Sequence, residues 1–142
     1  MYKDFNKTKE ELEKQLSVYG LIELIEHVSD HEYLAYDVCL NIDTDNPDLS
    51  CVDVYAFANG KFRLAKRCNS FFVEELEELQ KVISIFYGSP FSLDIERINV
   101  IWPRYSLEIP TQTFNSLSEL IEHVRVLNIL LTKVHNQIMK KE

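Results

Sequence analysis

A chain of 142 residues has the length of one ordinary domain, and its 46% hydrophobic and 27% charged residues belong to a folded globular protein, not a disordered one. Fifteen basic against 23 acidic side chains give a net charge of −8, a field that repels nucleic acid and anionic membranes and attracts basic partners. No apolar run approaches the roughly 20 residues of a membrane helix, and the opening MYKDFNKTKEELEK lacks the apolar stretch of a secretory signal, so a cytoplasmic location is expected.

Thr8 and Glu11 have the spacing of a capping box, which predicts a first helix from about Lys9 with Leu12, Leu16 and Tyr19 as its apolar stripe. Leu21, Leu24, Ile25 and Val28 keep helical spacing but lie nearly opposite that stripe, and the change of phase falls at Gly20. The expectation is a first helix broken or kinked at Gly20, or one buried on two sides by the core and a second subunit.

From Tyr33 to Asp43 the pattern changes to period two, with Leu34, Tyr36, Val38, Leu40 and Ile42 on one face of a half-buried strand. The loop DTDNPDLS follows. Asp43 and Asp45 open it like a calcium loop, but Asp48 stands where glycine is needed and Val54 where a bidentate acid belongs, so an ordinary polar loop is expected. The strands CVDVYAFA and KFRLAKR then meet across Asn59-Gly60, the pair that a two-residue type I′ hairpin prefers.

Phe72, Leu76, Leu79, Ile83 and Phe86 predict a second helix, stopped by Gly88 and Pro90, with Glu74, Glu75, Glu77 and Glu78 mostly off its apolar stripe. Two extended segments, Ser92 to Trp102 and Arg104 to Ile109, are divided by Pro103 and read as another hairpin. Ser116 with Glu119 repeats the capping box and opens a last helix running to about Met139. Leu117, Leu120, Ile121, Val124, Leu131 and Ile138 form one stripe of that helix, and Val126, Ile129 and Leu130 a second apolar face that a second subunit or partner could cover.

The expected class is therefore α+β: residues 1–142 as a single domain, an antiparallel sheet of about five strands packed against helices, in the order α-β-β-β-α-β-β-α. That order resembles the layout of class I type III secretion chaperones and of YbjN-like proteins. The resemblance implies a small, acidic, dimeric protein that binds other proteins, and it is one of element order, not of motif.

ELIEHV occurs twice, at 23–28 and 119–124, each time with a Leu two positions ahead of it. The shared stretch is too short for a structural repeat, which takes about 20 residues or more. As helices, both copies would turn Leu, Ile and Val inward and Glu and His outward. Glu23 and His27 would then share a helical face with His31 one turn on, a candidate chelate for a metal such as Zn²⁺, although the general-base glutamate of H-E-x-x-H is missing. A solvated helix face is the plainer reading.

Other chemistry is thinly represented. Gly20, Gly60 and Gly88 are the three glycines of the chain, each spent on a break, turn or cap, which leaves no phosphate-cradling loop. No G-x-S-x-G elbow is present. Cys39, Cys51 and Cys68 are odd in number and lack paired metal spacing, as expected of reduced, packed thiols. Lys61, Arg63, Lys66 and Arg67 beside Phe57, Phe62, Phe71 and Phe72 make one basic, aromatic stretch, without the positive domain or RNP-type segment of an RNA platform.

These features point to a non-enzymatic interaction module without cofactors: an adaptor, chaperone, immunity protein or phage-type inhibitor, acting as a homodimer on another, basic, protein. Glu74, Glu75, Glu77, Glu78, Val126, Ile129 and Leu130 are the candidate partner-binding residues. The alternatives are a small metal-dependent enzyme built on Glu23, His27 and His31, and an acidic mimic of nucleic acid using the clusters at 43–53 and 74–78.

Overall fold

The computed structural model describes residues 5–28, 33–42, 50–66, 70–98 and 104–139. Helix α1 (Phe5–Leu16) begins before the expected Lys9, so Thr8 lies inside it rather than capping it, and Leu12 and Leu16 are fully buried. The helix does not resume after Gly20. Residues Gly20–Val28 form strand β1, paired antiparallel with β2 (Tyr33–Leu40), which corrects the helical reading of the first ELIEHV. The second copy is helical as expected, inside α3 (Leu117–Met139).

The same six residues thus adopt both structures, and their surroundings decide which. At 119–124 the segment follows a cap in which Ser116 Oγ accepts the Glu119 N–H at 3.2 Å, while Glu119 Oε2 reaches back to the Asn115 N–H at 3.3 Å. Its Leu120 and Val124 begin a buried stripe that Leu127, Leu131 and Val134 continue beyond it. At 23–28 no such stripe follows, and the neighbouring β2 offers its backbone edge; intrinsic propensity is a weak prior that tertiary pairing overrides. Gly20 serves the pairing rather than a helix break. A Cβ there would lie 2.2 Å from the Cys39 carbonyl oxygen, so only glycine lets the two backbones approach.

Five strands make the first sheet, in the order β1-β2-β3-β4-β8, with β3 Cys51–Phe57, β4 Phe62–Lys66 and β8 Gln112–Phe114. The hairpin between β3 and β4 lies where Asn59-Gly60 placed it, but its loop has three residues, because Phe57 and Lys61 close it. The Gly60 N–H donates to the Phe57 carbonyl at 3.0 Å, and Gly60 takes the left-handed conformation at φ 88°, the bulge position of a three-residue loop. The segments expected to form the later hairpin do pair, as β6 (Asp94–Ile98) and β7 (Arg104–Glu108), but in a second sheet of order β5-β7-β6 that adds β5 (Ser70–Val73). Pro103 lies outside the described residues. Helix α2 (Leu76–Phe86) starts later than expected, since Phe72 belongs to β5, and it buries Leu79, Val82 and Phe86 while Leu76 and Ile83 stay exposed.

The observed order, α-β-β-β-β-β-α-β-β-β-α, is α+β and carries three strands beyond the expected layout. One hydrophobic cluster joins α1, α2, α3 and residues from both sheets. Tyr36, 1% exposed on β2, donates its hydroxyl to Glu13 Oε2 at 2.7 Å and so ties the sheet to α1. Burial, and then the Glu13 carboxylate, hold this phenol above its ordinary value of 10.0.

Gly20→Ala is expected to lower stability in urea by about 3 kcal/mol through forced separation of β1 and β2. Gly88→Ala, where a Cβ meets nothing within 4 Å but φ is 79°, should cost about 1 kcal/mol. The raised folded-state value of Tyr36 implies stability that is fully present below its unfolded value and is lost as pH rises above it. Alkaline denaturation should therefore steepen above about pH 10, and Tyr36→Phe should remove that share of the slope.

Candidate functional site

Strand β2 alternates: Leu34, Tyr36, Val38 and Leu40 join the core under the helices, which leaves Tyr33, Ala35, Asp37 and Cys39 on the opposite face. The register extends this face across the sheet. Leu21, Cys39 and Cys51 form one cross-strand row, and Glu23, Asp37 and Asp53 the next. Further along, Tyr55 pairs with both Ala35 and Arg63. The outer face thus carries thiols, then carboxylates, then aromatics with an arginine.

Its aromatic end is an ordered cluster. The rings of Tyr33, Tyr55 and Phe57 lie with centroids 6.1 to 6.5 Å apart, and the Arg63 guanidinium stands over Phe57 at 5.1 Å and Tyr55 at 5.9 Å. Phe62 points to the other side, where it is buried in the core, and Phe71 and Phe72 belong to the second sheet. The basic, aromatic stretch of the sequence is therefore divided between two faces and two sheets.

At the other end, the Sγ atoms of Cys39 and Cys51 lie 3.2 Å apart, and the Asp37 carboxylate is within 4.8 Å of both. Asp37 and Cys51 are buried, and Cys39 is half-buried. Ser50 Oγ is 3.9 Å from Cys51 Sγ. Spacing along the chain hid this group, because the cysteines are twelve residues apart and meet only through antiparallel register; the period-two strands flanking DTDNPDLS were the available signal. Cys68 lies outside the described residues.

Strand β1 stands at the edge of the sheet. Its register slips at Ile25, a bulge between Leu24 and Glu26, so Glu23 pairs with Asp37 while His27 pairs with Leu34. The helical chelate of Glu23, His27 and His31 is thus not formed: Glu23 and His27 lie on a bulged strand, and His31 is outside the described residues. The strand packs Ile22 against the core but leaves Leu21 79%, Ile25 57% and Leu24 37% exposed. In the second copy, His123 is not turned outward. Its Nδ1–H donates to the Glu119 carbonyl at 2.8 Å, and its ring packs on Phe114 and Phe91.

The expected partner-binding residues scatter. Leu130, 6% exposed, belongs to the core, Val126 is packed against it, and only Ile129 of the three is exposed. Glu74, Glu75 and Glu77 are exposed, but Glu78 is buried. Asp43, Asp45 and Asp48 lie outside the described residues. A groove of about 450 Å³ between the starts of α1 and α3 is lined by Lys7, Thr8, Glu11, Phe62, Asn115, Ser116 and Leu117, with the Ser116 hydroxyl engaged in the helix cap. No described helix is long and apolar enough to cross a membrane. No family model, curated protein or solved structure matches the chain.

The adjacent acids Glu77 and Glu78 in α2 should respond differently to charge reversal. Glu77→Lys, which gives up an exposed pair with Lys81 at 3.8 Å, is expected to shift stability by less than about 0.5 kcal/mol. Glu78→Lys places a cation in a buried position and should cost more than about 2 kcal/mol, read from urea midpoints.

Proposed function

We propose that this chain is a non-enzymatic protein-interaction module that binds an extended, basic and apolar segment of another protein by strand addition to β1. The observation that carries the reading is the exposed edge itself: nine residues, paired on one side only among the described residues, with Leu21, Leu24 and Ile25 in solvent. An apolar edge is a template for a further strand; β1 has neither the lysine nor the proline that often blunts such edges, although its bulge at Ile25 limits regular pairing to the segments on either side of it. Main-chain hydrogen bonds would supply affinity and the apolar side chains the register.

Charge selects the occupant. Glu23 and Glu26 lie on β1, Asp37 and Asp53 follow Glu23 in register, and the whole chain carries −8. Lysine and arginine side chains on an incoming strand would meet the carboxylates favourably, whereas a second copy would bring its own net charge of −8 against this one. The dimer expected from the last helix has correspondingly little to use, since Leu130 is in the core. The fit is therefore to an adaptor or chaperone that holds an unfolded basic segment, acting as a monomer before it is loaded.

The test uses two labelled peptides of ten residues, one alternating valine with lysine and one alternating valine with glutamate. The first should bind and the second should not, with affinity falling as salt rises. Leu21→Lys, which charges the edge at an exposed position, should weaken binding by more than about tenfold while leaving the melting temperature unchanged. Equal binding of both peptides, or an unaffected Leu21→Lys, refutes the reading. Concentration-dependent dimerisation abolished by Leu21→Lys would assign the edge to a second copy instead.

A further inference from the structure

We propose that Asp37, Cys39 and Cys51 form a binding site for a thiophilic divalent cation, of which Zn²⁺ is the type, on the outer face of the five-stranded sheet. Both cysteines and the aspartate project from adjacent central strands of that sheet: Asp37 and Cys39 are two residues apart on β2, and Cys51 is the direct cross-strand partner of Cys39. Two positions with this relation must present their side chains to one side, so the backbone alone brings the three donors together. Their ligating atoms all lie within 4.8 Å of one another. Burial of Asp37 and Cys51 gives the site a floor, and half-buried Cys39 leaves it a way in.

The sulfur separation lies between the two arrangements open to two facing cysteines, a shared metal and a disulfide. Two thiolates on one tetrahedral Zn²⁺ at about 2.3 Å stand about 3.8 Å apart, while a disulfide needs about 2.05 Å. The observed 3.2 Å must open by about 0.6 Å for the metal and close by more than about 1.1 Å for the disulfide. Small rotations about the Cα–Cβ bonds accomplish the former. Charge favours the cation as well. Two thiolates and a carboxylate carry three negative charges, which a bound divalent ion partly neutralises. Soft sulfur donors select Zn²⁺ and its thiophilic relatives over Ca²⁺ and Mg²⁺, which take oxygen alone. A water would complete a tetrahedral set, and the buried Ser50 hydroxyl, 3.9 Å from Cys51 Sγ, is placed to support the thiolate.

The experiment titrates Co²⁺, a spectroscopic substitute for Zn²⁺, into reduced, metal-stripped full-length protein made without a histidine tag. One equivalent should produce a thiolate-to-cobalt charge-transfer band with the strong visible bands of four-coordination, and Zn²⁺ should displace it. Cys39→Ser and Cys51→Ser should each weaken binding by more than about 100-fold, the most that loss of an outer partner gives. Asp37→Asn should shift the visible bands, and Cys68→Ser should change nothing. A wild-type readout covers variants that fail to fold: Zn²⁺ should protect Cys39 and Cys51 from alkylation, as mapped by mass spectrometry, and leave Cys68 unprotected. Absence of the charge-transfer band, its dependence on Cys68, or alkylation of Cys39 and Cys51 that Zn²⁺ does not slow overturns the proposal. None of these measurements involves a peptide, so the site and the strand-addition edge stand or fall separately.

Discussion

Strand β2 is the element on which the rest depends, because it has to satisfy two different environments with one alternation. Leu34, Tyr36, Val38 and Leu40 fill the space under α1 and α3, while Ala35 and Asp37, on the opposite side, are also buried, at 7% exposure each. A strand between two neighbours cannot slip by one residue without sending every core side chain to the outer face. Three features hold its register. The hydroxyl of Tyr36 reaches Glu13, the carbonyl of Cys39 faces the bare Cα of Gly20, and the β3 hairpin partner brings Val54 opposite Tyr36. A fixed register on β2 in turn places the carboxylate row, the thiol pair and the aromatic cluster, since each is a cross-strand set that no single strand could assemble.

Much of this framework was legible in the sequence where periodicity and punctuation agreed. The period-two run from Tyr33, the two strands around Asn59-Gly60, the last helix from Leu117 to Met139 and its Ser116 cap all lie where local patterns put them. The failures share one cause, a nonlocal contact that outweighed a local pattern. Leu21, Leu24, Ile25 and Val28 have helical spacing, yet β2 captured them as a strand. Of the stripe Phe72, Leu76, Leu79, Ile83 and Phe86, Leu79 and Phe86 are buried as expected, but β5 took Phe72, Leu76 and Ile83 stay exposed, and Val82 fills the core in place of Ile83. Leu130 counted as an outer face of α3 on a helical projection, but the helix is surrounded on more than one side. For the candidate site, single residues were visible and their meeting was not: Cys39 and Cys51 gain significance only from register.

Acidity also takes on a structural meaning beyond solubility. Three carboxylates in one row across adjacent strands repel each other, a cost that sequence composition alone does not reveal. Such a row persists where something positive relieves it. On this surface the row is bounded by the thiols on one side and by Arg63 with its rings on the other. The edge strand runs past the same row through Glu23, so a basic chain laid along β1 and a cation at Cys39 would act on one electrostatic field from two directions.

Helix α3, 23 residues and so about 34 Å long, touches α1, α2, β4 and β8, whereas β1, among the described residues, rests on β2 and more lightly on α1. The molecule should therefore not open uniformly. Amide protons in the middle of α3 should exchange with solvent only on global unfolding, while those of β1, one-sided and interrupted by the Ile25 bulge, should exchange through local detachment. Detached, this segment carries a hexapeptide that the same molecule elsewhere winds into a helix, so its open state has a local structure of its own to visit. If β1 is the element that takes up a partner strand, binding would fall on a segment that the core of the fold leans on lightly, a separation of binding from stability built into where the chain placed its two copies of six letters.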